Sequence, residues 1–228
     1  MAKYRHELKY YLSYTDYLNL QTRLAVTVPR DPYAGESGKY FIRSLYFDDP
    51  FNTALQEKFD GVDDRDKFRL RFYNMNLDKV KLERKRKTNG YICKDSLSLT
   101  KSESDAILNR DYAFLLKRSE PFARVMYLEF VTKQLRPCVI VDYMREPFVF
   151  PYEDVRITFD TEIKTGLRST DMYDPDLPTY PVVENNSPVL EVKFNKALPK
   201  EIHAMLQSVS PLRSQVSKYC LCRQYSIG

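Results

Sequence analysis

Glycine is scarce in this chain, with six residues among 228, and none forms G-x-G-x-x-G or G-x-x-x-x-G-K-[ST]. A nucleotide cradled in a Gly-rich phosphate loop is therefore excluded. Histidine is scarcer still. His6 and His203 have no partner at a motif spacing, so both read as structural or surface groups. The four cysteines, Cys93, Cys138, Cys220 and Cys222, include one C-x-C pair with no second pair to match it. A structural zinc site needs four ligands in recognisable spacing, so ordinary thiols in a reducing, cytoplasmic setting are expected. No apolar run approaches ~18 residues, and the opening MAKYRHELKYYLS has no apolar h-region. Neither a membrane span nor a signal peptide is expected.

What is present suits a folded domain: 43% apolar residues and 14% aromatics, with 18 Tyr and 13 Phe. Aromatics favour strands. The net charge of +5, from 36 Lys and Arg against 31 Asp and Glu, is too small to name a partner. The arrangement of charge has to carry the argument instead. Residues 3–12 alternate, with Lys3, Arg5, Glu7 and Lys9 on one parity. Strands are also expected in GKYFIRSLYFDD, KFRLRFYN, VKLERKRK, GYICKDSLSL, PCVIVDYMREPF, VRITFDTEI and PVLEVKF. Ser13 can cap a helix through about residue 26, and NTALQEKF reads as a short helix. Thr100 and Glu103 match a capping box before a helix at TKSESDAILNR. Residues 111–132 read as mostly helical, with Pro121 interrupting or restarting the helix. PKEIHAMLQ and the stretch containing SQVSKYCLCRQY complete the helices. Residues 164–186, rich in Pro and Asp, read as an excursion, so 1–228 is expected to be a single α+β domain dominated by antiparallel strands.

The strands share a polarity. Lys67, Arg69 and Arg71 oppose Phe68, Leu70 and Phe72; Lys81, Glu83, Lys85 and Lys87 share a face; Arg156 opposes Val155 and Ile157; Glu191 and Lys193 oppose Leu190 and Val192. The ordinary explanation for any one such strand is a solvated polar face over a buried apolar one. Taken together, the charged faces hold Arg and Lys with few neutral polar residues, while the helices need the apolar faces to pack on. A sheet curled with its helices outside would turn the charges inward, and a closed antiparallel barrel can enclose such a space. Its natural occupant is a polyanion, phosphates above all. Glu7, Glu83 and Glu191, in ELK, ERK and EVK, then read as ligands for Mg²⁺ or Mn²⁺, hard cations that bridge phosphate oxygens. Arg84 and Arg86 fall on the other parity and read as solvated charges.

The ordered set RHELKYYL, RSLYFDD, KFRLRFYN, LERKRK, VDYMREPF, VRITFDTEI, VLEVKFN and SQVSKY resembles the catalytic domain of vacuolar transporter chaperone (VTC) polyphosphate polymerases, from residue 4 to about 222. These are triphosphate tunnel metalloenzymes. The resemblance implies a closed antiparallel β-barrel forming a tunnel, with helices packed outside. It also implies transfer of the γ-phosphate of ATP to a growing polyphosphate chain with Mn²⁺ or Mg²⁺. Carried over position by position, it implies catalytic roles for Arg69, Arg71, Lys85, Arg145, Arg156 and Lys218. Phosphate binding falls to Lys9, with Lys94 the weakest match; Arg5, Lys81, Lys87 and Lys193 join it as basic residues of the charged faces. Glu191 matches the metal-binding glutamate. The related CYTH branch carries E-x-E-x-K on the first strand. Here Arg5-x-Glu7-x-Lys9 replaces one carboxylate with arginine, which favours the VTC branch.

Two other classes stay open at this point: a hydrolase of tripolyphosphate or nucleoside triphosphates on the same fold, and a non-catalytic polyphosphate or nucleotide binder. Nucleic acid is not an expected partner, because few aromatics interleave on the basic parity and no RNP or helix-turn-helix pattern occurs. If synthesis is coupled to translocation, a separate membrane protein must supply the passage.

Overall fold

The computed structural model describes residues 5–151, 155–209, 212–213 and 216–227. Alternation becomes strand in each expected place: β1 (His6–Tyr11), β2 (Tyr40–Asp48), β3 (Arg65–Tyr73), β4 (Val80–Thr88), β5 (Tyr91–Leu99), β6 (Arg136–Val149) and β7 (Arg156–Thr165). The excursion adds a two-residue strand, β8 (Tyr180–Pro181), before β9 (Val189–Phe194), and β10 (Leu212–Arg213) is equally short. Six helices intervene: α1 (Tyr14–Thr27), α2 (Thr53–Phe59), α3 (Lys101–Leu108), α4 (Pro121–Thr132), α5 (Lys200–Gln207) and α6 (Lys218–Ile227). Lys3 and Tyr4 of the expected first strand lie outside the described residues, as do Ser214 and Gln215 of the expected last helix.

Local chemistry sets the helix starts. The Ser13 side chain accepts from the Asp16 amide. Thr100 and Glu103 form the reciprocal capping box, which satisfies two otherwise orphaned amides. Pro121 stands at the first turn of α4, where its missing N–H costs nothing, and the preceding segment holds only a 3₁₀ turn over Ala113–Lys117.

The strands run antiparallel in the order β10-β1-β9-β7-β6-β2-β3-β4-β5, with β8 on β7. The sheet curls until its ends meet: Arg5, just before β1, bridges Ile92 of β5. Lys85 of β4 reaches Glu7 of β1 at 2.6 Å on the inside. The barrel seam is thus one backbone bridge reinforced by an ion pair, whereas the neighbouring pairings β1–β9 and β4–β5 carry ladders of six and nine residue pairs.

The apolar parity faces outward under helices. Phe68, Leu70, Phe72 and Leu82 pack with Ala123, Met126 and Phe130 of α4. Ile157, Phe159, Leu190 and Val192 pack with Leu20 and Leu24 of α1 and Ile202 of α5. Each such side chain contributes about 1.5–3 kcal/mol by leaving water. Helix α6 does a different job. Its Tyr219 and Cys222 pack on Val139, Val141 and Tyr143, the parity of β6 that also carries Arg145. Apolar residues replace charges at this end of the inner face, so a helix can cover it.

Arg84 departs from expectation. It is not a solvated charge: its side chain is 12% exposed, paired with Asp95 at 2.8 Å and Glu129 at 3.6 Å, and lies over the Phe122 ring. Helix α4 covers this outward position, and its glutamate replaces the lost water. Arg86, beyond the helix, is 41% exposed and paired with Asp66.

Candidate functional site

Register brings the charged parities together. Lys67, Arg69 and Arg71 of β3 face Lys85, Glu83 and Lys81 of β4. Glu7 and Lys9 of β1 face Lys193 and Glu191 of β9. Inside them lies a cavity of about 650 Å³ whose walls carry eleven Lys and Arg side chains against two glutamates. Of the residues singled out from sequence, Glu7, Lys9, Arg69, Arg71 and Lys85 line it, as do Lys87, Arg145, Glu191, Lys193 and Lys218.

Five others do not reach it. Glu83 is 1% exposed and lies behind the wall, held by Arg69 at 2.6 Å, Lys94 at 2.9 Å and Arg71 at 3.9 Å. Lys94 is committed to that carboxylate. Arg156 keeps the inward parity but turns to Asp31, at 2.7 Å, with 43% of its side chain exposed. Arg5 sits at the barrel seam, and Lys81 lies beyond the cavity at the start of β4.

Two buried carboxylates order the other wall. Asp160 of β7, on the charged parity of its strand but given no role from sequence, is fully buried and accepts from Arg145 at 2.6 and 2.7 Å and from Lys218 at 2.5 Å. Burial alone would raise its pKa; Arg145 and Lys218 bring it down to about 2. Glu191 accepts from Arg145 at 3.1 Å and lies 3.3 Å from Lys193 and 3.8 Å from Lys9. Burial is again opposed, here by Lys193, Lys9, Arg145 and Lys218, which hold the carboxyl well below the usual range. Burial pushes the Lys193 and Lys67 ammonium groups down to about 7. Such depression marks cations gathered out of water with too few counter-charges, a state that a bound anion relieves.

Sequence reasoning missed several lining groups. Lys67 stood on the charged face with Arg69 but was given no site role, and Arg65 shares that parity. Tyr46 and Tyr143 stand on quoted strands, and their hydroxyls accept from Arg69 and Arg71 at 2.9 Å each. Lys58 on α2 and Ser217 before α6 carry no periodic signal, since neither belongs to a strand.

Among the described residues no cluster of three His, Cys, Asp or Glu side chains could hold a metal. Glu7 and Glu191 both line the cavity, and the negative charge of Glu191 opposes ionisation of Glu7. Mg²⁺ and Mn²⁺ sites commonly use one or two carboxylates, with water and substrate phosphates completing the shell. Glu7 and Glu191 fit that pattern, whereas Glu83, shut behind three cations, does not.

A family model described as the VTC domain matches residues 4–227. No curated protein matches the chain by sequence. Among solved structures, the chain is similar to a putative adenylyl cyclase from Hippeastrum, described as revealing a dominant triphosphatase activity. That match has 13% identity and a TM-score of 0.57, over 98% of this chain and 96% of that one. A putative adenylate cyclase from Bacillus halodurans is similar at 13% identity and a TM-score of 0.54, over 94% and 96% of the two chains. Both share the triphosphate tunnel fold.

Proposed function

The chain belongs to the VTC domain family, and on that premise we propose that it is a polyphosphate polymerase, moving the γ-phosphate of ATP to a growing polyphosphate chain inside the barrel. The observation that carries this reading is the excess of eleven cations over two glutamates around one 650 Å³ cavity. Phosphoryl transfer requires positioning and charge neutralisation more than covalent help. Arg69 and Arg71 present guanidiniums fixed from behind by Glu83, Tyr46 and Tyr143, a rigid fork suited to phosphate oxygens. Lys85, Arg145 and Lys218 complete the catalytic set; Lys9, Lys87 and Lys193 extend it for a longer anion. Glu191, with Glu7 beside it, would hold Mn²⁺ or Mg²⁺. That ion, when bound, neutralises developing charge across the phosphate oxygens. The terminal oxygen of the acceptor chain is already anionic, so its attack in line needs no base.

A triphosphatase is the second reading, favoured by the activity named for the Hippeastrum protein. Purified protein with ATP and Mn²⁺, its products resolved by size, separates the two. Long phosphate chains support the polymerase; orthophosphate from tripolyphosphate supports the hydrolase. Binding of either anion without turnover removes catalysis altogether.

A further inference from the structure

Most cavity lysines are matched to carboxylates. Lys9 and Lys193 pair with Glu191, Lys85 with Glu7, Lys218 with Asp160, and Lys87 with Asp63. Lys67 is placed differently. Its Nζ lies 2.8 Å from Ser217 Oγ and 3.9 Å from Cys220 Sγ, and 4.9 Å from the Tyr219 ring centre. Among the described residues no carboxylate lies within ion-pair distance of it. An ammonium in that setting gains little for its charge, and burial holds its pKa down to about 7. Lys67 therefore gives up its proton more readily than an ordinary lysine, and its amine form can accept one from a neighbouring hydroxyl.

Ser217 is the hydroxyl it faces. The carbonyl of Ser217 accepts from the Leu221 amide at 2.9 Å, and its Oγ from the Cys220 amide at 3.4 Å, so it occupies the N-cap of α6. It also lines the cavity. Of the other hydroxyls lining the cavity, those of Tyr46 and Tyr143 accept from Arg69 and Arg71, guanidiniums that do not deprotonate, and that of Tyr219 donates to Asp48. Ser217 thus combines a hydroxyl on the cavity wall with an adjacent amine that can take its proton, the arrangement of an activated nucleophile.

We propose that Ser217 is itself a phosphoryl acceptor, becoming phosphoserine at the expense of a triphosphate bound in the cavity. This deepens the reading above and rests on it. Ser217 Oγ attacks the terminal phosphorus of ATP, the Oγ–P bond forms, the bridging P–O bond to the β-phosphate breaks, and ADP leaves. The hydroxyl proton passes to Lys67 Nζ, and no oxidant or reductant is required. The product is favoured where it forms, because a phosphate at a helix N-terminus meets backbone amides and here a basic wall. It presents a terminal anionic oxygen like that of a polyphosphate end, so a further transfer onto it needs no base. The site can thereby begin a chain without a free acceptor.

The test uses the full chain, γ-labelled ATP and Mn²⁺, rapid acid quench, and parallel measurement of ADP release. Acid-stable, alkali-labile label is expected on the protein, and fragmentation of the tryptic peptide 214–218 places it on Ser217 rather than Ser214. Ser217→Asn keeps a capping side chain but has no hydroxyl; it should lose the label while still binding tripolyphosphate. Ser217→Thr should restore labelling at a reduced rate. Lys67→Arg keeps the charge without the base and should slow labelling at least tenfold. ADP release by wild type with no label, together with undiminished turnover by Ser217→Asn, overturns the inference and leaves the polymerase reading intact. Label on any other residue overturns it as well. No binding or turnover of ATP or tripolyphosphate by the wild type removes both.

Discussion

On the β3 and β4 wall, Glu83 lies behind the cavity and holds Arg69, Arg71 and Lys94. On the β9 wall, Glu191 is held by Arg145, Lys9 and Lys193 yet lines the cavity. Each is a buried carboxylate among three cations, and the pairwise distances are similar. What differs is access. Glu83 can only aim the guanidiniums that face the ligand, whereas Glu191 can exchange partners with whatever enters. A carboxylate among cations is a template in one place and an available ligand in the other, and its depth behind the wall decides which.

The largest effect should come from removing the inaccessible carboxylate. Glu83→Ala leaves three cations without their partner and should cost about 3–5 kcal/mol in urea unfolding. Glu191→Ala should cost less, because water and anions in the cavity can reach Lys9 and Lys193. Equal costs for the two would break the comparison. The order reverses for chemistry: Glu191→Ala should abolish metal-dependent turnover. Arg69→Ala or Arg71→Ala should lower kcat by about 10²–10³, the usual loss of one positioned donor to a developing charge. Product formation from ATP measures both.

A smaller effect concerns pH. Lys67 has its pKa lowered to about 7 in the free protein, and a bound anion favours its charged form, raising that pKa. Affinity for tripolyphosphate is then complete below pH 7 and falls as pH rises past 7 toward the higher pKa of the complex. The fall should not exceed about tenfold per pH unit for this group. Titration calorimetry without metal checks it, and Lys67→Met should make the slope shallower. The smallest effect lies outside the barrel. Asp105→Ala removes an exposed i,i+4 pair with Lys101 and should change stability by less than about 0.5 kcal/mol.

The strands, the capping box at Thr100 and the restart at Pro121 were legible because each is encoded within a few residues. The inward parity was legible too, since Lys67, Arg69 and Arg71 alternate along one strand. The use of each charge was not. Arg156 has the right parity, but Asp31, 125 positions away, draws it off. Arg84 reads as solvated until Glu129 of α4 covers it. Asp160 sits in a quoted motif, yet its hold on Arg145 and Lys218 exists only after β6, β7 and α6 meet.

By itself the sequence determined an amphipathic antiparallel sheet with a basic face, because strand periodicity and side-chain polarity are local properties of the chain. Tertiary structure alone decided which cations face the cavity, which carboxylates stand behind them, and that Lys67 meets Ser217 across 150 residues. Those outcomes follow from sheet curvature and register, and these set the ångström-scale distances and burial on which ionic interactions depend.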